Sequence, residues 1–233
     1  MGKIRDLVDG LADMFYPACC PVCGRHLADG EPGICLSCLA DMPRLRFFEG
    51  RMPEIDGLFL GSRLGEQAVA LFRYNRLSPY AEILKDVKYR NSPELARMLA
   101  KCFASELSQL DYFNQLDAVV PVPLFKEKLL KRGYNQSLFI AEGVSEVSGL
   151  PVVEWLKAVR PHATQTFRTA EERHRNVEGV FVAESEANGR RLLLVDDVIT
   201  TGATLTACCD AFEEVGVMGL KILSLAFTNT LND

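Results

Sequence analysis

The segment 192–204 constrains the fold of this chain more than any other stretch of it. Four consecutive apolar residues at 192–195 are typical of a strand that is buried on both faces, as in a parallel sheet. Asp196 and Asp197 follow directly, and then come a threonine-rich turn and the apolar pattern of a helix over 204–215. Ligands of open α/β sheets bind beyond the carboxyl ends of such strands. The segment therefore predicts a parallel α/β fold and the place of its binding site.

The turn supplies the donors that a phosphate group needs. Gly202 permits a left-handed backbone turn, and the helix that follows has unpaired N–H groups at the positive end of its dipole. The threonine hydroxyls can donate further hydrogen bonds. We therefore predict a cup for one phosphate monoester, formed by Thr200, Thr201, Gly202, Ala203 and Thr204.

The two carboxylates before the turn need a different partner, because they would repel a phosphate. Ribose hydroxyls would donate hydrogen bonds to Asp196 and Asp197, as a sugar does to the acidic residue of a dinucleotide-binding fold. Mg²⁺ is a natural bridge, since it prefers carboxylate and phosphate oxygens. We predict that both aspartates bind the ribose of a 5′-phosphate and act in catalysis by stabilising positive charge on the sugar. A strand–turn–helix unit with solvated aspartates is the alternative.

Strand-like and helix-like segments alternate from Val69 onward. Besides the strand at 192–195, strands are predicted over 68–74, 117–122, 152–159, 177–183 and 220–227, and helices over 93–107, 135–148 and 204–215. This alternation predicts an α/β fold with a largely parallel twisted sheet flanked by helices. The stretch 44–62 is rich in Gly and Pro, which indicates a linker or an irregular strand region.

A separate N-terminal region precedes these segments. Apolar residues at helical spacing predict an amphipathic helix over 3–15, ended by Pro17. We divide the chain into this helix with a zinc-binding module at 1–45 and an α/β domain at 60–233. No apolar run approaches the roughly 18 residues of a membrane span, and acidic residues interrupt the N-terminal helix pattern. We therefore expect a cytoplasmic protein without membrane insertion.

Four cysteines are spaced as two knuckles. Within each pair, two residues separate the cysteines, and eleven residues separate the two pairs. Two such pairs of thiolates can complete one tetrahedral Zn²⁺ site. The predicted structural metal ligands are Cys20, Cys23, Cys35 and Cys38. Cys19 leaves the register open, and His26 is a conceivable substitute ligand. Reduced cysteines without a metal, or disulfides, are the alternative.

The motif at 192–204 resembles the 5-phosphoribosyl-1-diphosphate (PRPP) loop of type I phosphoribosyltransferases. Such a donor also carries a diphosphate, which needs cations. Two basic segments, 121–135 and 157–176, together carry a net charge of +6 and leave −11 on the rest of the chain. This distribution favours a small phosphorylated ligand over extended nucleic acid. The diphosphate candidates are Lys126, Arg132, Arg168 and Arg173. Solvated surface cations are the alternative.

The chain as a whole resembles the ComF/GntX family. The likeness rests on the four-cysteine module, Lys88-Tyr89, the strand end at 121–124, the Arg-Gly-Tyr-Asn-Gln-Ser run at 132–137 and the PRPP-loop motif, in that order. The resemblance implies a type I phosphoribosyltransferase-like domain that binds PRPP with Mg²⁺ and transfers the phosphoribosyl group to an amine, in DNA uptake during natural competence. It leaves open a non-catalytic adaptor that binds PRPP or a nucleotide and docks a helicase or single-stranded DNA.

Overall fold

The computed structural model describes residues 18–31, 33–47, 51–59, 61–90, 92–159 and 179–228. The helix predicted over 3–15 and the diphosphate candidates Arg168 and Arg173 lie outside these residues.

The described strands form two sheets. They are β1 (Gly65–Arg73), β2 (Ala118–Pro121), β3 (Leu156–Ala158), β4 (Phe181–Ala183), β5 (Arg191–Ile199) and β6 (Gly219–Phe227). The main sheet has the order β1-β6-β5-β2, and all its pairings are parallel. Strands β3 and β4 form a small antiparallel pair. Because the four main strands run in one direction, their carboxyl ends meet at a single edge, which we call the carboxyl edge.

Helices flank this sheet. They are α1 (Leu36–Ala40), α2 (Pro53–Asp56), α3 (Ala81–Tyr89), α4 (Pro93–Ser108), α5 (Lys126–Arg132), α6 (Gln136–Ser148) and α7 (Ala203–Glu214), with 3₁₀ turns at Gly57–Phe59 and Ser185–Ala187. The predicted α/β fold, a largely parallel sheet flanked by helices, is confirmed. Among the residues that are described, no helix is both long enough and apolar enough to span a membrane.

Strand β5 lies in the middle of the core, between β6 and β2. Residues 192–195 are fully buried, which requires cover on both faces of the sheet. The strand is longer than predicted, because pairing with β6 continues through Asp196, opposite Ser224, to Ile199. Both aspartates therefore belong to the strand, and its rigid backbone sets their positions.

A glycine allows α4 and α6 to approach each other closely. A Cβ atom on Gly143 would lie 2.2 Å from the carbonyl oxygen of Arg97 and 3.1 Å from the Cβ of Ala100. Lys101 of α4 also forms an ion pair with Glu146 of α6 at 2.8 Å. The pair of helices positions the N-terminus of α6 near the carboxyl edge.

The stretch 44–62 was expected to be a linker or an irregular strand region, and its described part fits this only at its start, where Arg44 makes an isolated antiparallel bridge to Phe72 of β1. Helix α2 and the 3₁₀ turn after it place Met52, Ile55 and Phe59 in the core. The backbone N–H of Ala68 donates a hydrogen bond of 2.8 Å to Asp56 Oδ1, which ties α2 to β1. The expectation was wrong for 51–59, where the Gly and Pro residues flank a single helical turn. This turn contains too few apolar residues to show the periodicity of a helix in the sequence.

The strand predicted over 152–159 is also shorter than expected. Only Leu156–Ala158 pairs as a strand, and its partner is β4 rather than the main sheet. Val152 makes one isolated parallel bridge to Val119. The segment therefore meets the parallel sheet beside β2 at this one residue and does not form a further strand of it.

The cysteine module lies against the main domain. The Tyr80 hydroxyl, just before α3, donates a hydrogen bond of 2.9 Å to the Cys38 carbonyl oxygen. Ile34 is buried and belongs to the same hydrophobic cluster as the sheet. The division into 1–45 and 60–233 stays a prediction.

Candidate functional site

The turn between β5 and α7 forms a shallow cup at the carboxyl edge. Gly202 has a φ of +76°, in the left-handed region, and α7 begins at the next residue. A Cβ atom on Gly202 would lie 3.3 Å from the Cβ of Leu58, so the 3₁₀ turn lies directly behind the cup. The cup is lined by Asp196, Val198, Ile199, Thr200, Gly202, Ala203, Thr204 and Leu205.

Four of the five residues predicted to hold a phosphate line this cup. The exception is Thr201, which is exposed and whose Oγ1 accepts a hydrogen bond of 3.4 Å from the Ala203 N–H. The first turn of any helix leaves its N–H groups without helical acceptors. An anion in the cup would accept hydrogen bonds from them and face the positive end of a 12-residue helix.

Asp196 is half-buried and is held by two hydrogen bonds. Its Oδ1 accepts one of 3.0 Å from the Ser137 hydroxyl and one of 2.8 Å from the Asp197 N–H. Burial, and then the neighbouring Asp197 charge, raise the pKa of Asp196 to about 7. The carboxylate is therefore fixed in place and poorly solvated, so a hydroxyl donor or a cation nearby would stabilise its charged form.

Asp197 has a different environment. It is 7% exposed, and its Oδ1 lies 3.1 Å from Nζ of Lys88. Lys88 stands in the last turn of α3, so this helix carries a cation to the carboxyl edge. The ion pair orients Asp197 and offsets part of the negative charge of the acidic pair.

Lys88 and Ser137 are site residues that the sequence reasoning missed. Lys88 is far from Asp197 along the chain, and its one signal in the sequence was its place in the family resemblance. Ser137 lies at the start of α6, where its backbone N–H donates a hydrogen bond of 3.1 Å to the Asn135 side chain. Its contact with Asp196 depends on how α6 packs on β5, which no local pattern indicates.

The two described diphosphate candidates lie at opposite ends of α5. The seven residues of this helix separate Lys126 from Arg132 by about 9 Å along its axis. Arg132 is half-buried; its Nη1 donates a hydrogen bond of 2.8 Å to Gln136 Oε1, and its guanidinium carbon lies 5.4 Å from the centre of the Tyr89 ring. Arg132 is thus held beside the end of α3, whereas Lys126 is exposed one helix length away.

A cleft of about 560 Å³ opens beside the cup and shares Val198 and Thr200 with it. Three cationic side chains line it, and none of its lining residues is acidic. The lining residues are Tyr74, Arg76, Leu84, Lys85, Lys88, Tyr89, Val198, Thr200 and Thr228. We call this space the cationic cleft.

The four predicted metal ligands form one cluster. The sulfur atoms of Cys20, Cys23, Cys35 and Cys38 all lie within 4.8 Å of one another. The Cys23 and Cys35 sulfurs are 3.8 Å apart, and a tetrahedral site with metal–sulfur bonds of about 2.3 Å has edges of about 3.8 Å. A hydrogen bond from the Cys38 N–H lowers the pKa of the Cys35 thiol to about 6, which favours the thiolate that a metal binds. The cluster could hold a metal ion.

The register of the first knuckle is also visible. Cys19 is exposed, and its sulfur lies 3.7 Å from His26 Nδ1 rather than with the other four sulfurs. Cys20 is 1% exposed and belongs to the cluster. His26 accordingly lies beside Cys19, outside the set of four ligands.

Known proteins resemble this chain over its parallel sheet and over nearly its whole length. A family model described as a phosphoribosyl transferase domain matches residues 138–230. Competence protein F of Haemophilus influenzae is 30% identical over 157 residues, which cover 64% of this chain and 69% of that protein. The DNA utilization protein YhgH of Escherichia coli O157:H7 is 25% identical over 233 residues, which cover 92% of this chain and 99% of that protein.

Solved structures give a more distant likeness. Glutamine phosphoribosylpyrophosphate amidotransferase from Bacillus subtilis, complexed with ADP and GMP, matches with a TM-score of 0.41 and 21% identity. The match covers 60% of this chain and 30% of the amidotransferase chain, so this chain corresponds to less than a third of that longer protein.

Proposed function

This chain belongs to the ComF family, and from that membership and the site geometry we propose that it binds PRPP with Mg²⁺ at its carboxyl edge. One observation carries the proposal: the cup at the start of α7 lies directly beside Asp196 and Asp197. A ribose 5-phosphate has a matching shape, with a phosphate on one side of the ring and two neighbouring hydroxyls on the other. Each part of the ligand then meets a group of suitable chemistry.

The phosphate and the ribose take separate parts of the site. The 5′-phosphate accepts hydrogen bonds from the N–H groups that begin α7 and from the hydroxyls of Thr200 and Thr204. The ribose hydroxyls donate to the carboxylates of Asp196 and Asp197. Strand β5 holds both carboxylates, and the partners Ser137 and Lys88 restrict their side chains. The site is therefore largely formed before the ligand binds.

The acidic pair also suits Mg²⁺. Two adjacent carboxylates offer the hard oxygen ligands that this ion combines with phosphate oxygens. Asp197 already forms an ion pair with the Lys88 ammonium group, so the space beside its carboxylate accommodates a positive charge. When bound, Mg²⁺ would offset the charge of the diphosphate, and Asp196 and Asp197 are the residues that would hold it.

We further propose that the chain transfers the phosphoribosyl group to an amine. Substitution at an anomeric carbon has an oxocarbenium-like transition state, so the protein contributes mainly charge and position. Asp196 and Asp197 stabilise positive charge on the ribose, and Arg132, held beside the end of α3, stabilises the departing diphosphate. No side chain has to act as a nucleophile.

The cysteine cluster is proposed to hold Zn²⁺ as a structural ion. Four thiolates at tetrahedral spacing fill all the positions of this ion, so no position remains for a substrate. The metal would fix the two knuckles, whose backbone then supports Tyr80 and the start of α3 through the Cys38 carbonyl group.

A role in DNA uptake is proposed from the relatives, whose names refer to competence and DNA utilization. The same names favour a second candidate, an adaptor that binds PRPP without turning it over and docks a helicase or single-stranded DNA. Release of diphosphate from PRPP in the presence of an amine separates the two. Turnover supports the transferase, and binding without release supports the adaptor.

Calorimetric titration with PRPP and Mg²⁺ tests the proposed site. We expect PRPP to bind the wild type saturably. We expect its affinity for Asp197→Asn to be lower by about tenfold or more, because the variant loses a charged hydrogen-bond acceptor. Asp117→Asn makes the same change at the opposite edge of the sheet, where Asp117 accepts the Arg191 N–H, and should bind as the wild type does. Absence of binding to the wild type, or equal binding to Asp197→Asn, would refute the proposal.

A further inference from the structure

The cationic cleft has no task in the binding of PRPP proposed above. We infer that it binds the acceptor, and that the acceptor is a planar amine carrying an acidic group. This inference rests on the proposed function, because an acceptor needs a bound phosphoribosyl donor. It goes further by assigning the acceptor a place and a chemical class.

The order of the strands sets the place. A ribose over the end of β5 has β2 on one side and β6 followed by β1 on the other. Arg132, proposed to meet the diphosphate, follows β2. Tyr74 and Arg76 follow β1, and Thr228 follows β6, so this wall of the cationic cleft lies on the other side, whereas its Tyr89 wall lies beside Arg132.

The chemistry of substitution needs this separation. In the transfer, the amine nitrogen forms a bond to the anomeric carbon while the bond from that carbon to the diphosphate oxygen breaks. The electron pair leaves with the diphosphate, and the nitrogen then loses its proton to solvent. A nucleophile that displaces the diphosphate directly approaches from the face opposite the leaving group. The wall of the cationic cleft that carries Tyr74, Arg76 and Thr228 is on that side, and the cleft shares Val198 and Thr200 with the cup.

The charges of the cleft indicate an acidic group on the acceptor. Lys85 forms an ion pair with Glu82, and Lys88 forms one with Asp197. Arg76 makes no ion pair with any described residue. A carboxylate or phosphate on the acceptor would pair with the Arg76 guanidinium, which suits planar oxyanions.

The aromatic side chains indicate a planar molecule. Tyr74 is half-buried and Tyr89 is 63% exposed, and both rings line the cleft. The Arg132 guanidinium, 5.4 Å from the centre of the Tyr89 ring, fixes that ring although most of it faces solvent. Aromatic rings bind flat partners by stacking or by edge contacts. A cavity of about 560 Å³ lies within the usual size of small-molecule sites.

Two fluorescent probes of nearly equal shape test the class of acceptor. 2-Aminobenzoate carries an amine and a carboxylate on one ring, and 2-aminobenzamide replaces the carboxylate with a neutral amide. In titrations of the full chain with ribose 5-phosphate present, we expect 2-aminobenzoate to bind about tenfold more tightly, the effect of one charge-assisted hydrogen bond. Arg76→Gln should remove this preference. Arg63→Gln is the control, because the Arg63 side chain, just before β1, is 87% exposed and does not line the cleft. This variant should retain the preference for 2-aminobenzoate.

A parallel titration of the wild type with PRPP and Mg²⁺ separates the two claims. If PRPP binds but the probes bind equally or not at all, or if Arg76→Gln keeps the preference, the acceptor assignment is wrong and the proposed function stands. If PRPP does not bind, the proposed function fails and the acceptor assignment fails with it. Preference for 2-aminobenzoate that depends on Arg76, in a chain that binds PRPP, supports both.

Discussion

Asp196 and Asp197 are neighbours in the chain but differ in their surroundings. Asp196 contacts Ser137 from α6, and Asp197 contacts Lys88 from α3. Adjacent residues of a strand point to opposite faces, so each carboxylate meets a different helix. At the residue scale, the site is thus an acidic pair whose two carboxylates are held by partners from two different helices.

The Lys88–Asp197 ion pair gives a prediction about stability. Lys88→Met should lower the free energy of unfolding by about 1–3 kcal/mol, because it leaves a buried carboxylate without its partner. Adding Asp197→Asn to this variant should recover part of the loss, since the uncompensated charge is then gone. Urea unfolding of the wild type, both single variants and the double variant measures the coupling. Strictly additive effects would show that the two side chains do not interact in solution.

The backbone of Gly202 gives a second prediction. Gly202→Ala should destabilise the fold by about 1–2 kcal/mol because of the left-handed φ at this position. The contact of the added Cβ with Leu58 should add to this loss. The variant should also bind PRPP more weakly. Gly189→Ala is the matched control, since its φ of +72° is similar but nothing lies within 4 Å of the added Cβ. Thermal unfolding of the two variants isolates the contact with Leu58. Equal losses in both would mean that the 3₁₀ turn does not lie against the cup.

At the scale of elements, the site depends on where helices end. The C-terminus of α3 carries Lys88, and the hydroxyl of Tyr134, just before α6, donates a hydrogen bond to the Val87 carbonyl oxygen of α3. The N-termini of α6 and α7 meet Asp196 and the cup. Packing between helices therefore controls the geometry of the site.

The contact of α4 with α6 can be tested by the sign of one substitution. In a solvated helix, Gly→Ala stabilises by about 1 kcal/mol. At Gly143 the added Cβ would lie 2.2 Å from the Arg97 carbonyl oxygen, so we expect a loss of about 1–3 kcal/mol instead, or roughly 2–12 °C in the melting temperature. Calorimetry of Gly143→Ala gives the sign. A rise in melting temperature would mean that these helices are farther apart than described.

The cysteine module gives a prediction about metal content. The wild type should carry one Zn²⁺ per chain, and Cys38→Ser should lose most of it, because it removes one of four clustered ligands. Cys19→Ser should keep the metal, since the Cys19 sulfur lies with His26 outside the cluster. Elemental analysis of the purified variants measures this. Loss of zinc in Cys19→Ser with retention in Cys20→Ser would instead shift the register of the first knuckle by one residue.

The sequence predicts those parts of the molecule that are specified locally. Strand β5, Gly202 and the start of α7 follow from an apolar run, a turn glycine and helical spacing within one segment. The cysteine spacing similarly indicates its own cluster. Lys88, Ser137 and the helical turn at 51–59 were missed, because each takes its role from contacts with residues distant in the chain, and a single sequence shows no pairing between distant positions.

For the whole molecule, α3 connects the two chemical centres. Its N-terminal side is tied to the cysteine module through Tyr80 and the Cys38 carbonyl group, and its last turn places Lys88 on Asp197. The chain carries a net charge of −5, yet three cations line the cleft beside the cup. The molecule thus concentrates positive charge in one cleft of an acidic protein.

A crystal structure with PRPP and Mg²⁺ bound tests the central claim most directly. We expect the 5′-phosphate in the cup at the start of α7, the ribose hydroxyls on the carboxylates of Asp196 and Asp197, and the cationic cleft open on the side of the ribose away from the diphosphate. A 5′-phosphate bound away from the cup, or a ribose that contacts neither aspartate, would contradict the account.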